Sequence, residues 1–67
     1  MRKIIARRTE GDPYGYTIEV YDGGFRTPMY MYSSMYKPVL SNGSLIFETP
    51  DSFMSLSADI IQIMKED

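Results

Sequence analysis

The chain of 67 residues contains no cysteine, no histidine and no tryptophan. Without cysteine no disulfide can staple the fold, and without cysteine and histidine the usual zinc ligands are missing. The same absences remove the commonest general acid–base group at neutral pH and the thiol nucleophile. The sequence therefore predicts a protein that is not an enzyme and that uses neither a metal nor a cofactor.

Long hydrophobic runs are also absent. No stretch of about 20 apolar residues could span a membrane, and the basic start, residues 1–8, lacks the apolar run of a secretory signal. We therefore expect a cytoplasmic protein with no membrane partner. A chain this short forms one small domain, residues 1–67, and buries only about 60% of the surface that its unfolded form exposes.

Charge is limited and unevenly distributed. Seven lysines and arginines against nine aspartates and glutamates give a net charge of −2. Four of the cations, Arg2, Lys3, Arg7 and Arg8, stand within the first eight residues. Ordinary solubilising charge is the simpler interpretation, and a surface with separate basic and acidic poles is the functional alternative.

The first half of the chain has the alternation of β-strands. Residues 2–8 predict one strand, and residues 14–22 predict a second with Ile18 and Val20 on its apolar face. Gly23-Gly24 predicts a tight turn, because glycine accepts a positive φ without steric cost. The resulting hairpin, residues 14–33, pairs Val20 with Thr27, Ile18 with Met29 and Tyr16 with Met31 on its core side.

A second hairpin is predicted over residues 37–48. Its turn is Asn42-Gly43, the strongest short-range signal for such a connection. The register places Leu40 opposite Leu45 and Val39 opposite Ile46. Two hairpins and the first strand together predict an antiparallel sheet of four to five strands.

The C-terminal segment has the pattern of an amphipathic helix. Thr49 suits the N-cap, and Pro50 suits the first helical position. Apolar residues fall on one helical stripe and polar residues on the opposite one. The apolar stripe holds Phe53, Leu56, Ile60, Ile63 and Met64, and the polar stripe holds Ser55, Asp59, Gln62 and Glu66. The sequence thus predicts an α+β fold, with one C-terminal helix packed on the sheet.

The outer side of the first hairpin carries the candidate binding residues. A core does not require large polar–aromatic side chains there, whereas tyrosine and arginine are enriched at protein interfaces. The run from Pro28 to Tyr36, rich in methionine and tyrosine, also has a purely structural interpretation as a strand. The predicted partner-binding residues are Glu19, Tyr21, Arg26, Tyr30, Tyr32 and Tyr36.

Three functions are compatible with such a surface. The first is a protein-interaction module that binds a protein or protein complex. By size and composition it is typical of small phage or mobile-element proteins. We expect an anti-CRISPR-like inhibitor that blocks a host nucleic-acid-processing or defence complex, although no motif resembles a specific family.

The second function is binding of single-stranded nucleic acid, with bases stacked on the tyrosines beside Arg26. The net negative charge and the missing RNA-recognition consensus favour protein over direct nucleic acid, unless folding brings the N-terminal cations beside this face. The third function is a self-associating structural or accessory protein, with a homodimer as its simplest form.

Overall fold

The computed structural model describes residues 1–24 and 26–64, and the regular structure in those residues is entirely β. A four-stranded sheet has the order β3-β2-β1-β7, and a three-stranded sheet has the order β4-β5-β6. The strands are β1 (Arg2–Arg8), β2 (Tyr16–Asp22), β3 (Tyr30–Ser34), β4 (Val39–Ser41), β5 (Ser44–Glu48), β6 (Phe53–Ser57) and β7 (Ile60–Ile63).

The predicted C-terminal helix is wrong, and the fold is all-β rather than α+β. The segment forms β6, which pairs antiparallel with β5, and β7, which pairs parallel with β1. The sheet with β7 is therefore mixed, not purely antiparallel as predicted. The β-branched Ile60, Ile61 and Ile63 suit a strand, and β6 alternates with a period of two. Glu66, which belongs to the predicted helix, lies outside the described residues.

The apparent helix cap at Thr49 belongs to a turn between β5 and β6. The Thr49 hydroxyl accepts the backbone N–H groups of Asp51 at 3.3 Å and Ser52 at 3.1 Å, and the Thr49 N–H donates to the Ser52 carbonyl at 2.8 Å. A threonine hydroxyl makes the same local bonds in a turn as at a helix N-terminus. The local sequence signal is therefore the same for both structures.

The second predicted hairpin is confirmed. Asn42 and Gly43 both have positive φ, 51° and 77°, as a primed two-residue turn requires. Leu40 pairs with Leu45 and Val39 with Ile46, in the predicted register. The strand before the turn is shorter than predicted, because β4 covers only Val39–Ser41.

Gly43→Ala should destabilise the domain by about 1 kcal/mol, because its φ of +77° disfavours any residue with a Cβ atom. Gly24→Ala is the matched control, since a Cβ atom there meets no atom within 4 Å and the residue is outside the left-handed region. Urea denaturation of both variants measures the difference. Equal midpoints for the two variants would show that the turn does not need glycine.

The register of the first hairpin differs from the prediction by three residues. Val20 pairs with Tyr30, not with Thr27, and Ile18 pairs with Tyr32, not with Met29. A shift by an odd number exchanges the two faces of a strand. Proline cannot donate to a ladder, so β3 begins only after Pro28. Tyr30 and Tyr32 consequently project on the side of the core residues.

A single core lies between the two sheets. The four-stranded sheet contributes buried side chains from β1 and β2, and the three-stranded sheet contributes them from β5. The half-buried Leu56, Ile61 and Ile63 pack against this core from strands instead of from a helix. The sheets therefore stack face to face, as in a β-sandwich. The buried cluster comprises Ile4, Ala6, Tyr16, Ile18, Val20, Leu45 and Phe47.

The β1–β2 loop is organised by Asp12. One carboxylate oxygen accepts the backbone N–H groups of Tyr14 and Gly15, both at 3.0 Å. These two hydrogen bonds lower the pKa of Asp12, because they favour its charged form. A carboxyl pKa that is lower in the folded state stabilises the fold above the unfolded value, near 4, and this contribution is lost as the pH falls further.

The melting temperature of Asp12→Asn should therefore fall less than that of the parent protein as the pH is lowered below about 4. Asp51→Asn is the control, since the Asp51 carboxylate accepts no hydrogen bond from the part of the chain that the structure describes. Melting temperatures of both variants and the parent between pH 2 and pH 7 (about the range in which carboxylates titrate) test this. Parallel curves for the parent and Asp12→Asn would contradict the role of the loop carboxylate.

Candidate binding sites

The six residues predicted to bind a partner fall into two separate groups. Glu19 and Tyr21 lie on the outer face of the four-stranded sheet, with Arg26 in the following loop. Tyr30 and Tyr32 project from the opposite face, because of the observed register, and Tyr36 follows β3. The predicted common tyrosine face is therefore wrong, although a binding role for each residue stays a prediction.

Tyr30 and Tyr36, from the group on the opposite face, lie on a surface that we call the Met–Tyr edge. Its side chains are large, apolar and exposed, and they lie close together in the sequence. β3 is the end strand of one sheet and β4 the end strand of the other, and a link of only four residues, 35–38, connects them. The Met–Tyr edge comprises Met29, Tyr30, Met31, Met35, Tyr36, Val39 and Leu40.

Aromatic rings connect the Met–Tyr edge to the core. The rings of Tyr30 and Tyr32 stack with centroids 6.5 Å apart and an interplanar angle of 24°. Tyr32 in turn contacts the buried Phe47 with centroids 5.9 Å apart. Tyr32 is half-buried, whereas Tyr30 is 52% exposed. The contacts with Tyr32 thus fix the ring of Tyr30 on one side and leave the rest of its surface available to a partner.

Both faces of the end strands are apolar at the Met–Tyr edge. Met31 is 60% exposed on the outer face of β3, and Tyr30 lies on the other face. Val39 and Leu40 are exposed on opposite faces of β4. Natural proteins usually protect such strands with charge, proline or a covering segment, and exposed apolar patches mark interaction sites. Lys37 is the one charged residue between positions 28 and 40.

Tyr21 and Arg26 line a depression on the outer sheet face that we call the Tyr21 groove. Its volume is about 410 Å³, and it lies at the end of the outer sheet face where β2 meets the following loop. Cross-strand pairing places Lys3 beside Tyr21 and Ile5 beside Glu19. Ile5 is only 8% exposed although it lies on an outer face. The groove is lined by Met1, Lys3, Ile5, Tyr21, Gly23, Gly24 and Arg26.

A chain of hydrogen bonds holds the Tyr21 side chain. Its hydroxyl donates to Glu19 Oε1 at 3.2 Å, and Arg7 Nε donates to the same oxygen at 2.8 Å. The hydrogen bond and the charge of Glu19 raise the pKa of Arg7. The Glu19 side chain is mostly buried beneath these contacts. Glu19 thus supports the ring and its charge is already matched.

The charges around the Tyr21 groove are not balanced. The two acids of β2 each have an arginine of β1 as partner: Arg7 binds Glu19, and Arg2 lies 3.4 Å from Asp22. Lys3 and Arg26 form no ion pair or hydrogen bond with any residue in the described ranges. A chain of net charge −2 therefore presents, at one place, two cations that no described residue compensates.

The sequence alone does not predict this groove. Lys3, Ile5 and Arg7 alternate on one face of β1, which is a usable signal, but only the pairing with β2 shows that Tyr21 lies beside them. Among the described residues no group of three acidic side chains is arranged to hold a metal ion. The same part of the chain has no helix long and apolar enough to cross a membrane.

Comparison of the chain with protein-family models, with curated proteins and with solved structures finds no match. The two surfaces themselves, the Met–Tyr edge and the Tyr21 groove, are therefore the basis for a function.

Proposed function

We propose that the protein is a small, non-enzymatic interaction module that binds a protein partner through the Met–Tyr edge. The observation that carries the proposal is the concentration of exposed apolar side chains on two end strands and the short segments that flank and connect them. Tyrosine and methionine are enriched at protein interfaces, and methionine adapts its shape to the contacting surface. A partner with an apolar strand or groove is the complementary chemistry.

The end strands also offer backbone groups. One side of β3 and one side of β4 have no neighbouring strand in the described residues. A partner strand can pair with such an edge, where the backbone supplies affinity and the alternating side chains supply specificity. Met31 and Tyr30, on opposite faces of β3, would then contact the partner from both sides of the extended sheet.

Self-association is the second candidate function, favoured by the same free end strands. Two copies can pair through one edge about a two-fold axis, which buries the same residues on each subunit. The mass in solution distinguishes this arrangement from a monomer that awaits another partner. Light scattering after size exclusion, across a range of protein concentrations, is the measurement.

Affinity capture from the lysate of the native host tests the main proposal. The capture is repeated after nuclease treatment and at raised salt, and bound proteins are identified by mass spectrometry. We expect one protein complex that survives both treatments, since apolar contacts are insensitive to salt. That the complex processes nucleic acid or defends the host stays a prediction. Recovery of nucleic acid alone, lost at raised salt, would contradict protein binding.

A further inference from the structure

We propose that the Tyr21 groove binds a nucleotide unit, a base together with its phosphate. The inference is independent of the Met–Tyr edge, because the groove shares no residue with that surface. Three features of the groove carry it: a tethered aromatic ring, an apolar floor and two uncompensated cations.

The ring and the floor suit a base. Tyr21 is fixed at its hydroxyl by Glu19, and Glu19 is fixed by Arg7, so the ring is positioned before a ligand arrives. A preorganised group loses little conformational freedom on binding. Stacking on an aromatic ring accepts any base, because every base has a π-face. Ile5 supplies the apolar surface beneath.

The cations suit a phosphate. Lys3 lies directly across from Tyr21 in the β1–β2 pair, and Arg26 lines the same groove from the loop. Among the described residues no acid lines the groove. Glu19, on the same face, already binds Arg7, and Asp22 alternates with Tyr21 and so lies on the other face. Lys3 and Arg26, which have no ion-pair partner among the described residues, are therefore available to an anion beside the ring.

The shape of the groove is compatible with this ligand. Its volume of about 410 Å³ falls in the range of small-molecule sites. At Gly24 an added Cβ atom would meet no other atom within 4 Å, so the loop leaves space where the ligand enters. An oligoglutamate peptide would satisfy Lys3 and Arg26 but has no aromatic group to stack on Tyr21. A nucleotide can use both, with its base on Tyr21 and its phosphate beside Lys3 and Arg26.

The test uses fluorescence anisotropy of a labelled oligodeoxythymidylate of roughly ten nucleotides, about the site size of small single-strand binders. Adenosine monophosphate serves as competitor, and a labelled oligoglutamate peptide serves as the alternative ligand. We expect Tyr21→Leu to weaken oligonucleotide binding roughly five- to a hundredfold through lost stacking. Lys3→Gln and Arg26→Gln should each reduce the slope of log affinity against log salt by about 0.7.

Matched controls are Lys37→Gln and Tyr14→Leu, which change an exposed cation and an exposed tyrosine outside the groove. Both should bind like the parent protein. Circular dichroism verifies that each variant is folded. If Tyr21→Leu fails to fold, the Lys3→Gln and Arg26→Gln variants test the proposal. Both should fold, because neither side chain forms an ion pair among the described residues.

Competition by adenosine monophosphate would show that a free nucleotide is sufficient, whereas binding of the oligonucleotide without such competition would assign the site to a strand. Either result supports the proposal. It is overturned if the parent protein does not bind the oligonucleotide, if only the oligoglutamate peptide binds, or if the groove variants and controls bind alike. Failure of host-protein capture at the Met–Tyr edge leaves these outcomes unchanged.

Discussion

Leu45→Ala should lower the free energy of unfolding by about 3–5 kcal/mol, whereas Leu40→Ala should lower it by less than about 1 kcal/mol. The two leucines are cross-strand partners in the second hairpin, but Leu45 is fully buried between the sheets and Leu40 is 55% exposed on the Met–Tyr edge. The same atoms are deleted in both variants. The decrease in the free energy of unfolding at Leu45 includes the cost of a cavity in the packed core. Removing the exposed side chain of Leu40 creates no such cavity.

The consequence for such a small domain is severe. Each kcal/mol shifts the melting temperature by about 4–8 °C at this size, so Leu45→Ala should melt more than about 10 °C below the parent protein. Urea and thermal unfolding of both variants measure the effect. Similar losses at the two positions would contradict the packing of β5 against the four-stranded sheet.

Tyr30→Ala should weaken binding of the captured partner by about 2 kcal/mol, close to thirtyfold, with little change in melting temperature. Tyr30 is held by Tyr32 but remains half exposed, so it offers a rigid aromatic contact at the centre of the Met–Tyr edge. Tyr36→Ala should act in the same direction. Titration calorimetry with the purified partner is the measurement.

Two further tyrosines provide the controls for that experiment. Tyr14 is 72% exposed in the β1–β2 loop and is not a residue of the Met–Tyr edge, so Tyr14→Ala should bind like the parent protein. Tyr32→Ala should instead lose stability, because Tyr32 packs against Phe47 and the core. Equal affinities for Tyr30→Ala, Tyr36→Ala and the parent would rule out this surface as the binding site.

The second hairpin could be predicted from the sequence because its information is local. Asn42 and Gly43 specify the turn, and the turn fixes the register of Leu40 and Leu45. Gly23-Gly24 resembles an equally local signal, but the connection continues to Met29, whose N–H donates to the Val20 carbonyl at 2.7 Å. Glycine permits a tight turn without requiring one.

The C-terminal helix could not be distinguished from two short strands by spacing alone. Phe53, Leu56 and Ile60 fit a helical stripe. In the structure, however, β6 ends at Ser57, and after residues 58–59 the chain continues as β7 in the other sheet. The decisive contact is the parallel pairing of β7 with β1, which joins the two ends of the chain. Such a non-local pairing leaves no signal within a short window of sequence.

The candidate sites show the same division between local and non-local information. Composition indicated that the tyrosines and Arg26 are unusual, and the structure finds Tyr30 and Tyr36 exposed. Which of them lie together depends on the register of β2 and β3. The observed register differs from the predicted one by three residues and places Tyr21 and Tyr30 on opposite faces of the sheet. That Lys3 lies beside Tyr21 follows only from the pairing of β1 with β2.

Hydrogen–deuterium exchange of the protein, with and without its captured partner, tests partner binding at the Met–Tyr edge most directly. Strand pairing or burial at an interface slows exchange of the amides involved. The predicted result is slower exchange in residues 29–40, with the Tyr21 groove unchanged. Slower exchange elsewhere, with residues 29–40 unaffected, would contradict the Met–Tyr edge as the binding surface.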